Sequence, residues 1–215
     1  MRLPEPIGVY AILDAGVMAP TRLPAAGAVM ARAGIRVFQV RAKGMPAGAL
    51  AELVTAVREA IGPGPLLLVN DRADVAATTP CDGVHLGDED LPVAEARRIL
   101  PAGAIVGYST HSVAQAGGAR DADYIGVGPV FATSTKPTDR PPLGVEGLRG
   151  ACEAATLPVV AIGGIGVAAI PGLRQAGASG IAMISGLLVP DEVAARAASA
   201  VATFAGTGGV QGGPV

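Results

Sequence analysis

The segments Leu66-Leu67-Leu68-Val69-Asn70-Asp71-Arg72 and Asp82-Gly83-Val84-His85-Leu86-Gly87-Asp88-Glu89-Asp90 decide how the chain folds. Each holds a short apolar run that stops abruptly at polar and acidic groups. Near-continuous apolar runs belong to strands buried on both faces, the mark of a parallel sheet. In parallel α/β folds the residues just past the C-terminal strand ends carry the chemistry. Asp71 and Asp90 would then approach one another in space. Two carboxylates with the Asn70 amide suit Mg2+, which takes oxygen ligands and commonly one or two carboxylates plus substrate phosphates. Taken singly, either acid reads as a solvated loop residue or a helix cap. The rest of the chain has to decide.

Outward from these segments the pattern is strand then helix, repeated. Strands are expected at residues 7–13, 35–40, 66–69, 83–86, 104–108, 124–127, 159–162 and 180–184. Helices are expected at 23–33, 47–61, 73–77, 92–100, 112–120, 145–155, 167–176 and 191–204. The second of these shows the helical spacing of three and four at Leu50, Leu53, Val54, Val57 and Ile61. About eight strand–helix units without a composition break give the count of a single-domain (β/α)8 TIM barrel over residues 1–205. A doubly wound open sheet would need fewer strands and a switch point. Residues 206–215, with five Gly and a Pro, read as a frayed tail. Residues 128–144 form the longest irregular stretch, with Pro129, Pro137, Pro141 and Pro142, and a loop of that length inside a domain is usually functional.

Composition narrows the function. The chain has 215 residues, half of them hydrophobic, so a sizeable core is available. A net charge of −2 argues against a nucleic-acid footprint, and three Tyr, three Phe and no Trp leave no platform for stacking bases. Cys81 and Cys152 lack metal spacing and read as reduced thiols of a cytoplasmic protein. The first six residues show no signal-peptide core. Residues 157–173 are uncharged, about the lower edge of membrane-span length, yet Pro158, Gly163, Gly164, Gly166 and Pro171 break any single helix, so no membrane span is expected.

The residues past each strand are chemically coherent. After the second strand, alternation in Gln39-Val40-Arg41-Ala42-Lys43 points Gln39, Arg41 and Lys43 the same way. A lone cation there would be a solvated edge, whereas three groups in phase beside the acid pair favour anion binding. After the sixth strand, the run from Gly126 to Lys136 carries Thr133, Ser134, Thr135 and an ammonium on a glycine-supported loop, which suits phosphate; by itself it is equally an ordinary Ser/Thr turn. Ala161-Ile162-Gly163-Gly164-Ile165-Gly166 and Ala182-Met183-Ile184-Ser185-Gly186 follow the last two strands, where barrels frequently bind phosphate through backbone N–H groups. His85 reads as a hydrogen-bonded structural histidine as readily as a base, and His111 as part of a helix-start cap.

As a set these motifs, spread from Tyr10 to Ser185, resemble the thiamine-phosphate synthase family. The resemblance implies joining hydroxymethylpyrimidine diphosphate to a hydroxyethylthiazole phosphate, with or without a carboxylate, and release of pyrophosphate. It implies that Gln39, Arg41, Lys43, Asn70, Ser109 and Lys136 hold the pyrimidine diphosphate, within a binding stretch that includes Val40 and Ala42, and that Asp71 and Asp90 bind Mg2+. Arg41, Lys43, Ser109 and Lys136 are the expected catalytic residues. Thr133, Thr135, Gly164, Ile184 and Ser185 would hold the thiazole phosphate, with Ser134 a further substrate-binding residue. The 14–20 loop lacks the Asp-Arg pair common in relatives, and 166–170 lacks an Asn often found there. Small-molecule substrates are the implied partners, with no nucleic acid and no membrane, and a homo-oligomer is left open.

The closest rival is a thiazole tautomerase on a similar barrel, where a His at the place of His111 acts as acid and base. Such proteins lack the carboxylate matched by Asp71, and their basic motif differs. Another phosphate-binding barrel would need an acid/base pair at the strand ends, and a decayed sensor would not retain Asp71, Asp90, Arg41, Lys43 and Lys136 together.

Overall fold

A computed structural model describes residues 2–133, 135 and 140–206. The strands are β1 (Gly8–Asp14), β2 (Val37–Arg41), β3 (Leu66–Asn70), β4 (Gly83–Leu86), β5 (Ile105–Thr110), β6 (Tyr124–Val127), β7 (Val159–Ile162) and β8 (Gly180–Met183). The helices are α1 (Leu23–Arg32), α2 (Ala47–Ile61), α3 (Ala73–Ala76), α4 (Val93–Ile99), α5 (Val113–Gly118), α6 (Gly144–Ala154), α7 (Ile170–Gln175) and α8 (Val193–Ala205). Every strand is parallel to its neighbours, and β1 pairs with β8 from Gly8↔Gly180 to Ala11↔Met183. That last pairing closes the sheet into a barrel in strand order β1 to β8, which excludes the open doubly wound sheet.

Alternation along the strands sorts side chains into two cores. Tyr10, Ile12, Val37, Leu66, Leu68 and Tyr124 belong to the cluster inside the barrel. Ala11, Leu13, Phe38, Val40, Leu67 and Val69 belong to the larger layer between barrel and helices. The same parity, carried on toward the C-terminal ends, turns Asp14, Gln39, Arg41, Asn70, His85 and Ser109 inward. A strand buried on both faces therefore delivers polar groups to one opening.

Element ends differ from expectation by small, explicable amounts. Residues 167–176 divide into a 3-10 turn (Val167–Ala169) and α7, with Pro171 in the first turn of the α-helix, where its missing N–H costs nothing. Pro92 is the residue before α4, in an extended conformation, instead of its first turn. Among the described residues no helix is long and apolar enough to cross a membrane. Cys81 and Cys152 are free, half-buried thiols. The expected tail falls, from residue 207 on, outside the described residues.

Candidate active site

A cavity of about 300 Å³ opens at the C-terminal ends of the strands. Gln39, Arg41, Asn70 and Ser109 line it on one side, and Thr133, Thr135, Gly164, Ile184 and Ser185 on the other. Residues from six different loops or strand ends are thus brought to one mouth. Ser134 and Lys136 lie outside the described residues.

The basic motif divides. Gln39 is buried and donates its amide N–H to the Tyr10 hydroxyl at 2.8 Å. Arg41 donates to Asp14 Oδ2 at 2.6 Å, and Asp14, almost wholly buried, also accepts the Gly16 N–H at 2.8 Å. Lys43 is a correction to simple alternation. β2 ends at Arg41, and a turn closed by Met45 N–H on the Ala42 carbonyl carries Lys43 away from the strand phase. Its ammonium instead meets Asp71 Oδ2 at 2.5 Å. Val40 is fully buried in the outer core and Ala42 packs against it. Either could reach a ligand only through its backbone.

Asp71 sits in the left-handed region at φ 65, a conformation that Asp tolerates better than most residues. Its N–H donates to the His85 carbonyl at 2.8 Å, continuing the β3–β4 ladder one residue past the strand. Asp90 accepts the Gly87 N–H at 2.7 Å, and its carboxyl lies within hydrogen-bonding reach of Asp71. Burial raises the Asp90 pKa, the Gly87 N–H lowers it, the Asp71 carboxylate raises it again and the Lys43 ammonium opposes that rise. Two acids pressed together against their repulsion, with one ammonium beside them, make a donor set that a divalent cation fits. Mg2+ asks for one or two carboxylates and completes its shell with water and phosphate oxygens.

Across the mouth, Thr135 Oγ1 donates to Ser185 Oγ at 3.4 Å, and the Thr135 N–H donates to Thr133 Oγ1 at 3.3 Å. Gly164 has φ +64, and a Cβ there would strike the Ala132 carbonyl oxygen. The loop from β6 is therefore seated directly on the β7 turn. Arg140 from the β6–α6 loop pairs with Asp88 from the β4–α4 loop at 2.7 Å, and both border the cavity.

Along the cavity lining runs a chain of side chains that the motifs alone do not reveal. Tyr10 and Tyr124 meet hydroxyl to hydroxyl at 2.9 Å, Tyr124 meets His85 Nδ1 at 2.9 Å, and His85 Nε2 meets Ser109 Oγ at 3.0 Å. Burial raises the pKa of both tyrosines well above the ordinary value, so both stay protonated. His85 is thus hydrogen-bonded on both ring nitrogens. His111 Nδ1 donates to the Gly128 carbonyl at 2.7 Å, while the α5 cap is Ser112, which accepts the Gln115 N–H at 3.2 Å. The signal for Tyr10, Asp14 and Tyr124 was their parity: each lies an even number of residues from an inward-facing neighbour on its own strand.

A closed parallel barrel with an acid pair, cations and a hydroxyl–glycine cradle at its C-terminal mouth defines a (β/α)8-barrel enzyme. The family model described as thiamine monophosphate synthase matches residues 9–187, and the chain belongs to that family. It is 46% identical over 200 residues to the thiamine biosynthesis bifunctional protein ThiM/ThiE of Symbiobacterium thermophilum, covering 91% of this chain and 41% of that one. It is 43% identical over 173 residues to a thiamine-phosphate synthase of Anaeromyxobacter dehalogenans, covering 80% and 78%. The chain thus spans about two fifths of the first relative's length and most of the second's. Thiamine phosphate pyrophosphorylase from Pyrococcus furiosus superposes with a TM-score of 0.85 at 31% identity, over 95% of this chain and 98% of that one.

Proposed function

We propose that the chain acts as a thiamine-phosphate synthase, joining hydroxymethylpyrimidine diphosphate to hydroxyethylthiazole phosphate and releasing pyrophosphate. The observation that carries this reading is the meeting of Asp71, Asp90 and Lys43 next to Asn70 and Glu89, their chain neighbours that line the cavity, with the Thr133–Thr135–Ser185 cradle on the cavity's other side. One wall suits a diphosphate, the other a separate phosphate.

The chemistry asked of the site is modest. The bond from the pyrimidinyl methylene to the diphosphate oxygen breaks, its electron pair leaves on oxygen, and the thiazole nitrogen supplies a pair to the carbon. Arg41, oriented by Asp14, places a fixed positive group where charge develops. Lys43, on an exposed flexible stem, can exchange Asp71 for a phosphate oxygen. Asp71 and Asp90 would hold Mg2+. When bound, that ion supplies further positive charge to the leaving oxygens. The cavity brings the two reactants to one place, and orientation of that kind is worth several kcal/mol of barrier in general.

The test mixes both substrates with Mg2+ and the purified protein and follows thiamine phosphate by oxidation to fluorescent thiochrome. Product formation supports the reading. A silent assay with thiazole isomerisation would replace it by the tautomerase reading, and hydrolysis of the pyrimidine diphosphate without coupling would point to another acceptor.

A further inference from the structure

The hydrogen-bonded chain from buried Gln39 to half-buried Ser109 has a direction. With Gln39 Nε2 donating to the Tyr10 oxygen, the Tyr10 proton needs an acceptor, and the partners of that oxygen among the described residues are Gln39 and Tyr124. Tyr10 is buried, and a buried hydroxyl proton left unmatched costs on the order of 1–3 kcal/mol. Tyr10 therefore donates to Tyr124. Tyr124 has one proton, and its other partner is His85 Nδ1, so it donates there. A neutral imidazole that accepts at Nδ1 carries its proton at Nε2, which faces Ser109 Oγ at 3.0 Å. Ser109 then accepts from His85, and its own proton is turned toward the cavity that it lines.

The surroundings are built to hold this chain. A Cβ at Gly107 would collide with the Tyr124 ring and with His85 Nδ1, so the register of β5 against β4 and β6 leaves room for the pair only at a glycine. Tyr10 and Tyr124 also pack edge to face, with centroids 6.0 Å apart.

We propose that Tyr124 and His85 are positioning residues that fix the polarity of Ser109, so that its hydroxyl presents a proton, and not a lone pair, to an acceptor atom of the pyrimidine diphosphate. This rests on the synthase reading above. The chain is cooperative in sign: reversing the Gln39 amide would reverse every bond in it and make Ser109 an acceptor. A ligand group of the wrong polarity at Ser109 would therefore have to turn four further groups, and Ser109 becomes a point of discrimination without any charge of its own.

Two measurements test it. The chain has two histidines, so long-range 1H–15N correlation on histidine-labelled full-length protein resolves both tautomers. His85 is expected as the Nε2–H form, and His111, which donates from Nδ1 to Gly128, as the Nδ1–H form. An Nδ1–H signature at His85 overturns the proposal whether or not the protein is active. The second measurement is a kinetic cycle of Tyr124→Phe, Ser109→Ala and the double variant, begun only after the wild type has been shown to make thiamine phosphate. Loss of one oriented hydrogen bond predicts about a five- to thirty-fold fall in kcat/KM for the pyrimidine diphosphate in Tyr124→Phe, with the KM for the thiazole phosphate unchanged. In the Ser109→Ala background, Tyr124→Phe should cost nothing further. Multiplicative losses, or an equal rise in both KM values, sink the proposal while leaving the synthase reading standing. An inactive wild type sinks that reading instead. If Tyr124→Phe does not fold, Tyr10→Phe cuts the same chain one bond upstream and enters the same cycle.

Discussion

Asp71 and Asp90 follow neighbouring strands and meet carboxyl to carboxyl at the barrel rim, with Lys43 against Asp71 at 2.5 Å. Nothing in the packing of either strand requires two acids there, because the core ends at Val69 and Leu86. Asp71→Ala should leave the fold intact, since it removes a repulsion and strands only an exposed ammonium. Turnover should fall by about 100-fold or more, the scale for loss of a preorganised electrostatic group, and added Mg2+ should cease to stimulate it. Initial rates across a Mg2+ titration, beside a thermal melt, check both halves. Full Mg2+-stimulated activity in the variant would remove these residues from metal binding.

Asp14 and Arg41 form a pair of the opposite kind, nearly enclosed, with side chains 2% and 14% exposed. Removing one partner of such a pair leaves the other charge stranded, at a cost of about 3–5 kcal/mol. Asp14→Ala should therefore lower the denaturant midpoint substantially and, by releasing the Arg41 guanidinium, raise the KM for the pyrimidine diphosphate. Arg41→Lys keeps the charge but not the planar fork, and should restore neither property fully. Urea unfolding and a KM series decide. A midpoint unchanged in Asp14→Ala would mean that the pair adds nothing to stability.

How legible all this was depends on what each residue's neighbours in the sequence say about it. The barrel could be read because its strands are buried on both faces, so each announces itself as an apolar run with a polar end: Leu66 to Asn70 and Gly83 to Leu86 are examples. The carboxylate pair followed from adjacency of β3 and β4. Lys43 was assigned to a strand phase it does not share, because a turn beginning at Ala42 cannot be told from two more extended residues by alternation. Tyr10 and Tyr124 stayed hidden because an aromatic in a strand is normally just core, and what gives these two a polar role is the partner each meets across the barrel. Asp14 was visible as an acid at a strand end, yet its bond to Arg41 depends on the β1–β2 register, which pairs those two positions.

Arg58 is expected to matter for stability and not for catalysis. From α2 it donates to the carbonyls of Gly62, Pro65 and Pro80 and ion-pairs with Asp82, which in turn accepts the Leu67 N–H at 2.8 Å. These groups clamp the starts of β3 and β4, at the end of the barrel away from the cavity, where barrels keep stabilising residues. Arg58→Ala should cost about 2–4 kcal/mol in unfolding free energy, with kcat and both KM values unchanged at temperatures where the variant is folded. Denaturation curves and steady-state rates at low temperature separate the two effects. A changed KM with the stability intact would place Arg58 in communication with the mouth.

Gly164 tests the proposed second phosphate cradle through backbone alone. Its φ of +64 costs a residue with a side chain about 1–2 kcal/mol, and a Cβ would press on Ala132 O and on Phe131, pushing the β6 loop off the β7 turn. That loop carries Thr133 and Thr135, whose contact with Ser185 closes the cradle. Gly164→Ala should therefore raise the KM for the thiazole phosphate by about tenfold, with a much smaller effect on the pyrimidine diphosphate, since one displaced hydrogen-bonding element is worth on the order of 1.4 kcal/mol. Gly166→Ala is the matched control. Its φ is −97 and nothing lies within 4 Å of the added carbon, so the same methyl group two residues on should change neither constant. If both variants behave alike, the loss reflects general sensitivity of the β7 turn. If Gly164→Ala raises the pyrimidine KM instead, the two substrates are exchanged between the walls.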